Sequence, residues 1–126
     1  MLIVDDNVFN LTSLSMMLEL KFKVKSMTAP NGEIAFNKVK EKNKQILLIL
    51  MDIEMPVMNG FQSSRAIISY CEENSLRLPY IVALTANEQN KSIKDKCQEA
   101  GMQDILAKPI RSNEITALLH KLKMIN

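Results

Sequence analysis

Glycine is scarce in this chain, with three in 126 residues, and none falls in a Gly-x-x-x-x-Gly-Lys or Gly-x-Gly-x-x-Gly arrangement, which excludes the usual nucleotide-cradling loops. Tryptophan is absent and aromatics make up 5%, while the formal net charge is only +2. No lysine or arginine block interleaves with aromatic residues, so a groove for nucleic acid is not expected. The two cysteines, Cys71 and Cys97, form neither a Cys-x-x-Cys pair nor a disulfide framework and read as reduced core residues. No apolar run reaches the roughly 18 residues of a membrane span, and the first residues lack the succession of a signal peptide. The expected location is therefore the cytoplasm.

What is present suffices for one hydrophobic core. Hydrophobic residues make up 47% of the chain and charged ones 24%, a globular balance, and the length fits one domain, residues 1–126. Because the first apolar segment starts at Met1, that domain is a candidate for one excised from a longer protein.

Strand-like and helix-like patterns alternate five times. The strands are expected at Leu2 to Val4, Lys23 to Ala29, Ile46 to Met51, Tyr80 to Leu84 and Asp104 to Ala107. A run such as Ile46-Leu47-Leu48-Ile49-Leu50-Met51 is apolar on both alternating faces and must be covered on both sides, as in a parallel sheet between helices. The second strand is more polar and suits an edge. Helical spacing appears in Leu11, Leu14 and Leu18; Ala35 and Val39; Phe61, Ser64, Ile68 and Cys71; Ile93, Cys97 and Ala100; and Ile115, Leu118, Leu119 and Leu122. Asn31-Gly32 and Asn59-Gly60 mark helix starts, Asn87 can cap the fourth helix and Gly101 can close it. The expectation is a three-layer α/β sandwich, whose ligand site lies at the carboxyl ends of the strands.

Those ends carry Asp5 and Asp6, then Asp52, then Thr85, then Lys108. Three carboxylates brought together repel one another, and an all-oxygen cluster is best offset by a hard divalent cation, with Mg²⁺ the first candidate. Lys108 adds a compact cation and Thr85 a hydroxyl, both suited to phosphoryl oxygens, and Asp52 between them is the natural nucleophile.

The segments Leu2-Ile3-Val4-Asp5-Asp6-Asn7, Met51-Asp52-Ile53-Glu54-Met55-Pro56-Val57-Met58-Asn59-Gly60, Ala83-Leu84-Thr85-Ala86 and Lys108-Pro109-Ile110 closely resemble the response-regulator receiver family, in the same order and over nearly the whole chain. The wording around Met55 to Gly60 and Gly101 to Asp104 is most similar to receivers of hybrid histidine kinases. The resemblance implies a flavodoxin-like (βα)5 sheet of order 2-1-3-4-5. It further implies that Asp52 accepts a phosphoryl group from a histidine kinase or histidine phosphotransfer domain. By the same resemblance Asp6 and Asp52 ligate Mg²⁺ through carboxylates and Glu54 through its backbone carbonyl, Asp5 acts through water, and Lys108, Thr85 and the Ala86 amide hold the phosphate. Such a domain modifies itself and turns over no free metabolite, and the Lys108–Pro109 bond is held cis.

Ile105 departs from the family pattern, which usually has an aromatic ring three residues before the lysine; the expected output is a smaller rearrangement. Glu54 and Asn87 are expected to tune the lifetime of the phosphate. A phosphatase of the haloacid-dehalogenase type would also use a strand-end aspartate and Mg²⁺, but it expects Asp-x-Asp-x-Thr, whereas Asp52 is followed by Ile53-Glu54-Met55-Pro56. A receiver that only binds partners is the remaining alternative. His120 sits among leucines with no acidic or cysteine neighbours and reads as a partly exposed helix residue. The methionines read as core filler, and Lys91, Lys94 and Lys96 as a solvated helix face on a surface where related receivers meet partners.

Overall fold

The computed structural model describes residues 1–86 and 91–125. Strands and helices alternate as β1 (Leu2–Val4), α1 (Val8–Phe22), β2 (Met27–Ala29), α2 (Gly32–Lys42), β3 (Leu48–Asp52), α3 (Gly60–Glu73), β4 (Tyr80–Thr85), α4 (Lys91–Glu99), β5 (Asp104–Ala107) and α5 (Ser112–Lys121). All strand pairs are parallel and the sheet order is β2-β1-β3-β4-β5, as the resemblance implies.

Strand periodicity divides the core in two. Leu2, Val4, Ile49, Met51, Ile81 and Ala83 face one side, where they meet Ala35 and Val39 of α2, Ile67 and Cys71 of α3, and Cys97 of α4. Their neighbours Ile3, Leu48, Leu50, Val82 and Leu84 face the other side, against Leu11 and Leu18 of α1 and Ile115, Leu118 and Leu119 of α5. The central strands are covered on both faces, which is why they are apolar at consecutive positions.

The structure differs from expectation at three strands and on one helix face, β4 running to Thr85 rather than Leu84. The second strand starts at Met27 rather than Lys23, because α1 runs to Phe22 and ends with Lys23 at φ 56°. The N–H groups of Lys23 and Val24 then donate to the carbonyls of Glu19 and Leu18, leaving residues 23–26 as a connector. The third strand runs from Leu48 to Asp52 because a 3-10 turn at Asn43–Gln45 delays its start. On α3 the buried face is Ser63, Ser64, Ile67 and Cys71, with Phe61 and Ile68 only half-buried. Ser63 and Ser64 are tolerated in the core because their hydroxyls donate to the carbonyls of Gly32 and Ala100.

Three asparagines start helices at the carboxyl end of the sheet. Asn7, Asn31 and Asn59 accept backbone N–H bonds from Asn10, Ile34 and Gln62, and Asn59 with Gln62 forms a full capping box. Asn87 lies outside the described residues. Gly101 closes α4 at φ 79°, and His120 is exposed. Both cysteines are buried and unpaired, as expected. Among the described residues no helix is long and apolar enough to cross a membrane.

Candidate phosphoryl and cation site

β1 and β3 are neighbours at the centre of the sheet, so the residues that leave their carboxyl ends are brought together by register alone. Asp5 and Asp6 follow β1, and Asp52 is the last residue of β3. One carboxylate oxygen from each lies within 4.8 Å of the others. Asp5 and Asp52 are buried, whereas Asp6 is exposed at the mouth.

Each buried carboxylate is held at both oxygens. Asp5 Oδ1 accepts the Asn7 N–H at 2.9 Å, and its Oδ2 accepts from Asn10 Nδ2 at 3.3 Å and Lys108 Nζ at 3.2 Å. Asp52 Oδ1 accepts the Glu54 N–H at 3.1 Å, while Oδ2 stands 3.0 Å from Lys108 Nζ. Glu54 itself projects to the surface. Asn10, in the first turn of α1, is a partner that motif reading missed; its signal is the first-turn asparagine that follows the acidic pair.

Lys108 directly follows β5, and its N–H donates to the Thr85 carbonyl at 2.8 Å, which ties it to the end of β4. The Lys108–Pro109 bond is cis. Thr85 closes β4 and is buried, and Ala86 follows it at the surface. Asp5, Asp6, Asp52, Thr85 and Lys108 therefore meet at one edge. Ile105 is half-buried and packs against the core on the α2, α3 and α4 side of the sheet. A cavity of about 410 Å³ opens beside Asp5 and Lys108, walled by Leu14, Met17, Pro109 and Ile110.

The electrostatics of the cluster are uneven. Burial pushes the Asp52 carboxyl above its ordinary 3.8; the Glu54 N–H and Lys108 oppose that rise, and the Asp5 charge adds to it. Burial draws Lys108 down, but the hydrogen bonds and charges of Asp52 and Asp5 together outweigh it and raise Lys108 above 10.5. Three carboxylates face one ammonium, so the site keeps an excess of negative charge on oxygen donors. That donor set fits a small hard cation such as Mg²⁺ and offers nothing to a soft metal.

The response regulator receiver domain model matches residues 1–120. Hybrid signal transduction histidine kinases M and L of Dictyostelium discoideum are 34% and 38% identical over 96% and 95% of the chain, which spans 5% and 7% of their own lengths. Among solved structures, the chain is similar to a co-crystal of the Saccharomyces cerevisiae histidine phosphotransfer protein Ypd1 with the receiver domain of Ssk1. The match has 33% identity and a TM-score of 0.82, covering 97% of this chain and 84% of that one. It is also similar to the receiver domain of a Pseudomonas aeruginosa sensor histidine kinase with a magnesium ion in its active-site cleft, at 29% identity and TM-score 0.77, covering 96% and 93%. This chain belongs to the response regulator receiver domain family and is a receiver domain of two-component signalling.

Proposed function

We propose that Asp52 is the phosphoacceptor and that residues 1–126 work as one receiver module of a hybrid histidine kinase in the cytoplasm. The observation that carries the reading is the position of Lys108 Nζ, 3.0 Å from Asp52 Oδ2 at the edge where Asp5 and Asp6 also converge.

An Asp52 oxygen attacks the phosphorus of a phosphohistidine; the P–N bond breaks, an acyl phosphate forms, and the freed imidazole keeps the electron pair and takes up a proton. The Glu54 N–H orients Asp52 through Oδ1, so Oδ2 is the oxygen beside Lys108. Lys108, the Thr85 hydroxyl and the Ala86 amide hold the phosphoryl oxygens, a task of positioning and charge neutralisation. Asp6, Asp52 and the Glu54 backbone carbonyl would hold Mg²⁺, with Asp5 acting through water. When bound, the ion neutralises charge on the phosphoryl oxygens. The domain is altered by its own reaction and releases no metabolite, so it is a signalling switch rather than a turnover enzyme.

The donor is a histidine phosphotransfer domain or a histidine kinase. The outer side of α1 supports a protein donor. Val8, Phe9, Met16 and Leu20 are all exposed on this helix, although Leu11 and Leu18 already fill its core side. An apolar face that begins beside Asp6 suits a partner which must bring a phosphohistidine to Asp52. Mixing a phosphorylated histidine phosphotransfer protein with the chain tests the assignment. Phosphoryl label moves to the wild type in Mg²⁺, but not in EDTA and not to Asp52→Asn; transfer to that variant overturns it.

A further inference from the structure

The loop 53–59 between β3 and α3 carries Glu54, and it is pinned at both ends. At its start the Ile53 N–H donates to Leu84 and the Ile53 carbonyl accepts from Gly60, both at 3.2 Å. In its middle the Met58 N–H donates to the Pro56 carbonyl at 2.8 Å across Val57, whose φ is 70°. That is a γ-turn of the strained, positive-φ kind, here on a β-branched residue. Val57 is 76% exposed, so packing of its side chain does not hold the turn in place. The hold comes from α2: the Gly32 N–H donates to the Met58 carbonyl at 3.1 Å, and the Gly32 carbonyl accepts from the buried Ser63 hydroxyl at 2.8 Å.

This clasp has no room for a side chain. A Cβ on residue 32 would stand 2.5 Å from the Met58 carbonyl oxygen and 2.8 Å from Ser63 Cβ. Neither is the free end of a flexible group, so backbone on one side of the clasp has to shift. Because the Ile53 end of the loop is fixed on the sheet, a shift on the loop side falls on residues 54–58.

We infer that Gly32, which contributes no atom to the acidic cluster, is a positioning residue for the cation site: it clamps the strained 56–58 turn and thereby sets the Glu54 backbone carbonyl. The inference rests on the proposal that Asp6, Asp52 and that carbonyl hold Mg²⁺. Loss of a residue that orients a metal ligand weakens binding by roughly ten- to a hundredfold.

The test compares wild type, Gly32→Ala, Ser63→Ala and the remote core variant Val39→Ala. Mg²⁺ affinity is read by titration calorimetry, and amide hydrogen exchange of residues 54–58 is read in EDTA. Gly32→Ala is expected to bind Mg²⁺ at least about tenfold more weakly and to exchange faster in the loop. Val39→Ala should lower stability while leaving both readouts at wild-type values. Should Gly32→Ala fail to fold, Ser63→Ala decides, with a smaller change in the same direction. Wild-type affinity and exchange in the deciding variant overturn the positioning role alone, whereas a wild type that binds no Mg²⁺ overturns the cation site as well.

Discussion

Lys108 Nζ lies 3.0 Å from Asp52 Oδ2, so the residue that follows the edge strand β5 is tied to the last residue of the central strand β3. The same ammonium reaches Asp5 Oδ2 at 3.2 Å. One positive charge thus bridges two buried carboxylates that would otherwise repel each other.

Lys108→Ala removes the competitor for those oxygens together with the group proposed to hold the phosphate. Mg²⁺ should bind about tenfold more tightly, since an ammonium a few ångströms away no longer opposes the ion. Acceptance of phosphoryl from a small donor should slow by about a hundredfold, the usual cost of one oxyanion contact. Calorimetry and a mass-spectrometric time course check the two halves; unchanged Mg²⁺ affinity would contradict the charge argument.

Asp52→Asn should stabilise the metal-free domain at neutral pH, because the ionised carboxylate is disfavoured by burial and the amide is not. The native carboxyl sits above the ordinary 3.8, so the native state binds its proton more tightly than the unfolded chain does. Well below pH 3.8 both states are protonated and wild type suffers no penalty from ionisation; its disadvantage grows as pH rises through the raised native value. Lys108 behaves oppositely to a depressed group: its stabilisation is complete below 10.5 and fades as pH climbs through its raised value. Urea melts of both proteins across acid pH, in EDTA, check the first effect; a wild type that gains on the variant as pH rises would have the wrong sign.

Phe9→Asp and Leu20→Asp place charges on the exposed side of α1, with relative exposures of 76% at both positions, and should leave stability within about 0.5 kcal/mol of wild type. Phosphoryl transfer from a histidine phosphotransfer protein should fall at least about tenfold, the effect of losing an apolar anchor at an interface. Modification by a small phosphodonor should be unaffected. Equal losses with both donors would place the damage at the site rather than at a docking face.

Cys71 and Cys97 are 0% and 1% exposed, and burial pushes both thiols up from their ordinary value. Alkylating reagents at neutral pH should label neither in the native protein and both after unfolding. Fast native labelling would mean that α3 or α4 opens locally.

Most of this fold can be read from where apolar residues recur. β1 and β5 match the expected limits, and the consecutive apolar positions of β3 and β4 foretell a sheet covered on both faces. The second strand is shorter than its alternation suggests because Val24, which is half-buried, continues the pattern while the backbone is still leaving α1. The face of α3 is displaced from the expected one because Ser63 finds a carbonyl in α2, a contact that depends on two distant helices and leaves no local trace.

The acidic and basic residues of the site were legible because each stands at a strand end, where topology converges them whatever the loops do. Asn10 and Gly32 were not, since a first-turn asparagine reads as ordinary surface and a glycine after Asn31 reads as a helix start. The positive φ of Val57 was also hidden, because β-branched residues argue against it.

The most direct test of the central claim traps the modified residue itself. The chain is incubated with acetyl phosphate and Mg²⁺, reduced with borohydride, which converts an acyl phosphate on aspartate to homoserine, and mapped by peptide mass spectrometry. The account predicts homoserine at residue 52, dependent on Mg²⁺ and absent from Asp52→Asn. Homoserine at residue 5 or 6 instead, or modification that persists in the variant, would contradict it.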